Sequence, residues 1–255
     1  MNQAMQTLQL AGRLIVENGG EIFRVEETIT RMGRALGLKD VESFSVPSGV
    51  FISFTLPDGA SESSVARVRG ASTNLDRVDR VNDISRRIEA GQLDCAEALR
   101  ELQAIERRPG LSPVILVPAA GVCAAGFTAM FGGNLREMLP AFVAGSLVQL
   151  LSSVLDHYRL RSPVSLLTCG FVSTIIPLLF TLLWPTIALE AIVGGALMPM
   201  LPGLAMTNAV QDTMRGDLMS GLSHGIQALL TAALIAVGAA AGTALWAVLG
   251  KGGLL

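Results

Sequence analysis

Five long runs with at most one charged residue each occupy the second half of this 255-residue chain. Residues 111–131, 138–155, 164–184 and 226–249 contain no Asp, Glu, Lys or Arg, and residues 186–206 contain only Glu190. A helix of about 20 residues, rising 1.5 Å per residue, crosses a hydrocarbon core of about 30 Å. We therefore predict a membrane α-helical domain over residues 111–255, with about five transmembrane helices near these positions.

The distribution of charge supports this division. Residues 1–110 hold 14 of the 19 Lys and Arg residues and 16 of the 21 Asp and Glu residues. A soluble domain as poorly charged as the remainder would not stay dispersed in water, so we expect lipid around it. Positive and negative charges nearly balance in both parts, and no basic tract or nucleic-acid motif is present, which argues against a nucleic-acid partner.

Residues 1–110 have the pattern of an α+β domain. Apolar periodicity predicts helices over residues 5–17 and 21–36, and two β-branched and aromatic runs predict a hairpin over residues 41–56. Its turn is Pro47-Ser48-Gly49, and residues 63–68 are a candidate third strand. Two further helices are expected over residues 74–88 and 94–105, each opened by an Asn or Asp N-cap.

Basic residues in the short loops predict the orientation. One side of the membrane would carry Arg107, Arg108, Arg159, Arg161 and Arg215, and the other side Arg136 and Lys251. Because cytoplasmic loops are enriched in Lys and Arg, we expect a cytoplasmic N-terminal domain and an external C-terminus.

The fourth run contains Pro199, Pro202 and Gly203 near its end. Proline removes a backbone donor, so the helix is predicted to kink or break there, unless it simply ends at the membrane interface. Transporters use such discontinuous helices to present helix ends to substrates and ions. Glu190 is the single ionisable residue inside a predicted span, and it is a candidate coupling residue or an interfacial one.

Polar residues follow this run, from Thr207 to Ser223. We predict a loop there, either a solvated linker or a gate. His224, at the edge of the fifth run, is a helix-end residue or a proton relay. Small residues in the spans, such as Gly238 and Gly242, are expected to serve close helix packing.

Enzymatic and metal chemistry have no recognisable basis in the sequence. The three cysteines, Cys95, Cys123 and Cys169, are scattered and lack metal-ligand spacing. No nucleophile–base pair, paired-carboxylate arrangement or nucleotide-binding motif stands out. We therefore expect no enzyme, no metal and no cofactor.

Several blocks of residues resemble the bacterial threonine/serine exporter family, and the resemblance covers essentially the whole chain. The N-terminal domain contributes Ala11-Gly12-Arg13-Leu14, Glu17–Thr28, Pro47–Phe51, Thr73–Val78 and Val81-Asn82. The membrane domain contributes Leu201-Pro202-Gly203, Thr207-Asn208-Ala209, Asp212, Gly216-Asp217 and Ser220-Gly221-Leu222.

The resemblance implies an exporter driven by an ion gradient in the bacterial cytoplasmic membrane. Single-chain members look like two fused membrane halves, and this chain is similar to the first half with its cytosolic domain. It is also similar to the larger subunit of split exporters, whose known type exports succinate. The resemblance thus implies a small second membrane subunit, a substrate such as threonine, serine or succinate, and room for a homo-oligomer.

The same resemblance suggests roles for particular residues. Candidates for a substrate pathway or gate are Pro202, Gly203, Asn208 and Asp212, with Glu190 added from the span analysis. Candidates for a structural or regulatory role in the cytosolic domain are Arg24, Glu26, Asn74 and Asn82. Two other functions stay open: a membrane-tethered regulatory or scaffolding protein, and a membrane enzyme that uses the polar residues of the N-terminal domain.

Overall fold

The computed structural model describes residues 3–70, 72–158 and 163–251 and separates into two compact units. The first unit contains the chain up to Gly110 together with Leu204–Ile226. The second unit contains Leu111–Gly203 and the chain from Gln227 onward. The first unit therefore combines the predicted N-terminal domain with a segment from the polar region before the last span.

The N-terminal part of the first unit has the predicted order of helices and strands. The elements are α1 (Gln3–Glu17), α2 (Ile22–Ala35), β1 (Lys39–Val46), β2 (Gly49–Thr55), β3 (Ser61–Arg67), α3 (Leu75–Glu89) and α4 (Cys95–Arg107). The strands form one antiparallel sheet in the order β1-β2-β3. Both predicted N-caps are confirmed: the Asn74 side chain accepts from the Arg77 N–H, and the Asp94 side chain from the Glu97 N–H.

One face of the sheet closes the core of this unit. Val50, Ile52 and Phe54 of β2 are buried in one apolar cluster with residues of all four helices α1–α4. The alternate residues of the strands form the other face, where Phe44, Phe51 and Val65 are opposite one another and exposed. Residues along the strands thus alternate between a face packed on the core and a face that exposes an apolar row to solvent.

The remaining helices carry the five apolar runs. They are α5 (Pro113–Met130), α6 (Leu135–His157), α7 (Pro163–Thr181), α8 (Leu189–Leu197), α9 (Gly203–Met214) and α10 (Leu218–Lys251), with a 3-10 turn at Met198–Met200. Within the described residues, four of these helices are long and apolar enough to cross a membrane alone. A broken pair, Leu189–Met200 and Gly203–Met214, would make a fifth span, so the chain is helical with four to five candidate spans.

The predicted break in the fourth run is confirmed at Leu201-Pro202, between the 3-10 turn and α9. The predicted loop Thr207–Ser223 is wrong, because α9 continues to Met214 and α10 starts at Leu218. Gly216, at φ +91°, makes the short turn, and the Asp217 side chain accepts from the Ser220 N–H at 3.1 Å to open α10. Because the capping and turn residues are polar or glycine, the start of α10 has the composition of a loop.

Glycines of the second unit mark close helix contacts, as predicted. A Cβ added to Gly238 would lie 2.1 Å from the Leu167 carbonyl oxygen, and one added to Gly170 would lie 2.3 Å from the Ile235 carbonyl oxygen. Helices α7 and α10 therefore meet backbone to backbone. Gly126 is different, since a Cβ there would meet no atom of the described residues within 4 Å.

A buried carboxylate ties the start of α6 to the segment before α8. Glu137 is 5% exposed and accepts from the Ala188 N–H at 3.2 Å and the Asn134 N–H at 2.6 Å. Sequence patterns gave no sign of this contact.

Of the basic residues used to predict the orientation, Arg159 and Arg161 lie outside the described residues, so the sidedness is a proposal.

Candidate functional site

Two of the predicted pathway residues lie on one buried face of α9. Asn208 and Asp212 are one helical turn apart, and they are 4% and 1% exposed. The Asn208 side-chain amide donates to the Gly19 carbonyl oxygen at 3.3 Å. Polar side chains are rarely this buried without a structural or binding role, so these two residues mark a candidate site.

The turn between α1 and α2 receives this hydrogen bond. Gly19 has φ +86°, and an added Cβ would lie 2.9 Å from Leu204 Cδ2, so both conformation and space favour glycine. Asn18 is buried beside it, and its Nδ2 donates to the Leu14 carbonyl oxygen at 2.7 Å. That bond leaves the Asn18 side-chain carbonyl as an acceptor.

The start of α10 packs against the same side of α9. His224 Nδ1 lies 3.0 Å from Asp212 Oδ2, and the Asp217 N–H donates to the Asp212 carbonyl oxygen at 2.9 Å. A Cβ added to Gly221 would lie 2.2 Å from Thr213 Oγ1, so the two helices meet closely at this point. Ser220, one turn before His224, is fully buried.

These contacts define a polar cluster consisting of Asn18, Asn208, Asp212, Ser220 and His224. Three of its acceptor atoms, Asn18 Oδ1, Asp212 Oδ1 and Ser220 Oγ, are buried without a hydrogen-bond partner in the described part of the chain. A buried acceptor left unpaired costs about 1–3 kcal/mol, so the native protein is expected to supply donors or a cation here. The cluster thus has the composition of a binding site.

Charged side chains surround the cluster. Asp212 interacts electrostatically with two acidic side chains, Asp217 and Glu21, as well as with His224. The Arg215 guanidinium carbon instead lies 3.4 Å from the centroid of the Phe23 ring, in cation–π geometry. Glu21 itself forms an ion pair with Arg24. The local field at Asp212 therefore favours a positive charge.

The cluster can exchange a proton or bind a cation, and it has no metal-site chemistry of the zinc type. An Asp–His pair can share a proton between carboxylate and imidazole. Among the described residues, no group of three or more His, Cys, Asp or Glu side chains is placed to hold a metal ion.

The other predicted site residues have varied positions. Pro202 and Gly203 stand at the break that precedes α9, directly before the turns that carry Asn208 and Asp212. Glu190 is exposed in the first turn of α8, which belongs to the second compact unit. Asn18 and Ser220 lie in blocks of the family resemblance, which gave neither of them a role, although Ser220 and His224 share the four-residue spacing of Asn208 and Asp212.

The residues assigned to the cytosolic domain have structural contacts. Arg24 pairs with Glu21, and the Asn74 backbone N–H donates to the Asn18 carbonyl oxygen at 3.1 Å while its side chain caps α3. Asn82 is buried, and its Oδ1 accepts from the Thr28 hydroxyl at 3.5 Å, which joins α2 to α3. Asn74 thus connects the α3 cap to the α1–α2 turn of the cluster.

Glu26 connects α2 to the sheet, and its titration predicts a pH effect on stability. Its Oε1 accepts from the Ser45 N–H at 2.8 Å, yet burial raises the pKa of this carboxyl above its usual value of 4.5, with nearby Asp217 adding to the rise. The stabilising contribution of Glu26 is therefore complete below pH 4.5 and falls as the pH rises through the raised pKa.

A Glu26→Gln variant keeps a side-chain oxygen that accepts from the Ser45 N–H, and it removes the loss of stability that ionisation of Glu26 causes. Its melting temperature should match that of the wild type near pH 4 and exceed it near pH 7, by less than about 4 °C because the half-exposed carboxylate is screened by solvent. Thermal unfolding measured from pH 4 to pH 7 checks this, with the exposed neighbour Glu27→Gln as control. A difference in melting temperature between Glu26→Gln and the wild type that becomes smaller as the pH rises would contradict the role given to burial.

Comparisons with known proteins place the chain in a family. Residues 6–246 match the model of the ThrE family, described as "Putative threonine/serine exporter". The chain is 27% identical over 243 residues to "Probable succinate transporter subunit YjjP" of Klebsiella aerogenes, covering 92% of this chain and 91% of that protein. It is 26% identical over 246 residues to the protein of the same name from Escherichia coli K12, covering 94% and 93%. No solved structure matches.

The family match covers most of both compact units and every residue of the polar cluster. The resemblance seen in the sequence motifs is thereby confirmed over almost the whole chain. This multi-pass membrane protein belongs to the threonine/serine exporter family.

Proposed function

We propose that this chain is the larger subunit of a secondary exporter of small polar metabolites, threonine, serine or a dicarboxylate such as succinate. The observation that carries the proposal is the match to an exporter family from residue 6 to residue 246. The two relatives are each named a probable succinate transporter subunit, which supports a partner subunit. That this partner is a second, small membrane subunit is what the family resemblance implies.

The polar cluster is the proposed place where this chain acts on transport. Ionisable groups inside membrane spans are costly and are concentrated on substrate and ion pathways, and both α9 and α10 belong to candidate spans. Asp212 and His224 form such a buried pair, and the helix that carries Asp212 begins at the Pro202–Gly203 break. Helices broken in this way are typical of transporter binding sites. In this proposal Pro202, Gly203, Asn208, Asp212 and Glu190 belong to the pathway or gate.

We place the first 110 residues in the cytoplasm, the C-terminus outside and the protein in the bacterial cytoplasmic membrane. The short-loop basic residues support this orientation. The energy would come from an ion gradient, in keeping with the absence of a nucleotide-binding motif in the sequence. Association into a homo-oligomer is compatible with this arrangement.

The function is tested by efflux from cells preloaded with labelled threonine, serine or succinate. We expect accelerated loss of one of these metabolites when this chain is produced together with the small subunit, and little acceleration when either is produced alone. Unchanged efflux of all three, with both proteins verified in the membrane, would contradict the exporter proposal.

A membrane-tethered regulatory or scaffolding protein is the second candidate. It is favoured by the exposed row of Phe44, Phe51 and Val65 on the outer sheet face, since contiguous exposed apolar residues are often interaction sites. A Phe51→Ser substitution separates the two functions. Efflux should survive it under the exporter proposal, whereas a scaffold that acts through this face would lose its partner.

A further inference from the structure

The polar cluster is rich in side-chain oxygen atoms, including those of one carboxylate. Within the cluster, Asn18 Oδ1, Asp212 Oδ1 and Ser220 Oγ are buried and have no hydrogen-bond partner in the described ranges. The Asn18 amide orientation is fixed by its 2.7 Å bond to the Leu14 carbonyl oxygen, so Oδ1 is the atom that lacks a partner. Ligands that donate hydrogen bonds or carry a positive charge suit these unpartnered oxygens, and anionic ligands do not.

The elements that carry these atoms are joined by direct contacts. Asp212 and Asn208 share a face of α9, and Asn208 bonds to Gly19, the residue after Asn18. Ser220 and His224 share a face of α10, and His224 bonds to Asp212. The three acceptors therefore belong to side chains on adjoining turns of α1–α2, α9 and α10.

We infer that the polar cluster binds a small monovalent cation, with the Asp212 carboxylate as charged ligand and Ser220 and Asn18 as neutral oxygen ligands. Hard cations prefer carboxylate, hydroxyl and amide oxygens. The electrostatic partners of Asp212 include Asp217 and Glu21, which add negative potential, while the Arg215 guanidinium stacks on Phe23. The ligand is an alkali-metal ion or an alkylammonium group, because both present a compact positive charge.

The site binds through Asp212 Oδ1, because Oδ2 already contacts His224 at 3.0 Å. Its cation would be the coupling ion or the positive end of a substrate, so this part of the inference rests on the proposed function. Cation binding itself does not rest on the proposed function, and it is measurable on the purified protein without any transport.

Thermal unfolding of the full chain in detergent tests the inference at constant ionic strength. NaCl, KCl or methylammonium chloride replaces N-methyl-D-glucamine chloride, whose cation is too large for a compact site. We expect a saturable rise in melting temperature with at least one of the three salts. An effect of Na⁺ or K⁺ identifies an alkali-metal site, and an effect of methylammonium alone identifies an ammonium site.

Two variants locate the effect. Asp212→Asn should remove the salt-specific rise, and Ser220→Ala should raise the half-saturating concentration about fivefold, the change expected for one lost ligand bond of about 1 kcal/mol. Ser85→Ala is the matched control, since Ser85 is a fully buried serine of the first unit with its own partner, the Asn82 carbonyl oxygen. It should leave the half-saturating concentration unchanged.

The inference is overturned if no salt gives a saturable rise, or if the rise is equal in the wild type and the Asp212→Asn variant. Should Asp212→Asn fail to fold, the comparison of Ser220→Ala with Ser85→Ala decides alone, and equal half-saturation in these two overturns the site. Cation binding without efflux would contradict only the exporter proposal, and efflux without cation binding would contradict only the site.

Discussion

Replacing Asp212 with Ala is expected to reduce efflux by roughly tenfold to a hundredfold, at equal abundance in the membrane. Asp212 is 1% exposed and supplies the carboxylate that pairs with His224. Hydrogen bonds to charged groups contribute about 1.5–3 kcal/mol, and each 1.4 kcal/mol corresponds to a factor of ten. The substitution leaves the backbone contact between the Asp212 carbonyl and the Asp217 N–H in place, so the helix turn should persist.

The measurement is efflux of labelled metabolite from preloaded cells, normalised to the amount of each variant in the membrane. Asp79→Ala is the matched control, because it removes the same group from an exposed position on α3. That variant should export like the wild type. Normal efflux from Asp212→Ala would exclude the polar cluster from the transport pathway.

Replacing Gly238 with Leu is expected to lower the melting temperature on the order of 5–10 °C. Its Cβ would lie 2.1 Å from the Leu167 carbonyl oxygen and 3.0 Å from the Phe171 backbone nitrogen, so the atoms in the way belong to the α7 backbone and cannot rotate aside. Overpacking of this kind costs about 1–3 kcal/mol or more, and 1 kcal/mol shifts the melting temperature by about 2–4 °C in a protein of this size.

Gly126→Leu is the control for this substitution. Gly126 also lies in an apolar helix, and a Cβ there would meet no atom within 4 Å in the part of the chain that the structure describes. We expect its melting temperature to stay within about 2 °C of the wild-type value, since surface substitutions usually change stability by less than 0.5 kcal/mol. An equal decrease in melting temperature for Gly238→Leu and Gly126→Leu would mean that α7 and α10 do not meet at Gly238.

Local sequence signals were enough to predict most of the first unit. Asn74 and Asp94 stand where helix caps are expected, and both side chains accept the N–H of the third helical residue. The hairpin follows from two β-branched runs around Pro47-Ser48, with Val46 opposite Gly49. The apolar runs likewise gave the helices of the second unit, because a length of about 20 uncharged residues is a strong and local signal.

The polar region before α10 was mispredicted because its structure depends on contacts between distant residues. Asp217 caps a helix, and Gly216 turns the chain with a positive φ, but polar residues of this kind also fill loops. Once the turn is known to be that short, α9 and α10 become neighbours and Asp212 reaches His224. The resemblance contained Asn18 in the block Glu17–Thr28 but gave it no role, since its place in the cluster depends on the contact between Asn208 and Gly19 across the fold.

Transport by purified proteins tests the central claim most directly. This chain and its small partner subunit would be reconstituted into liposomes loaded with labelled succinate or threonine, and release would be followed under an imposed ion gradient. The account predicts that release of one of these metabolites is faster with both subunits than with either alone, and that it depends on the gradient. Release no faster than from empty liposomes, with both subunits inserted, would contradict it.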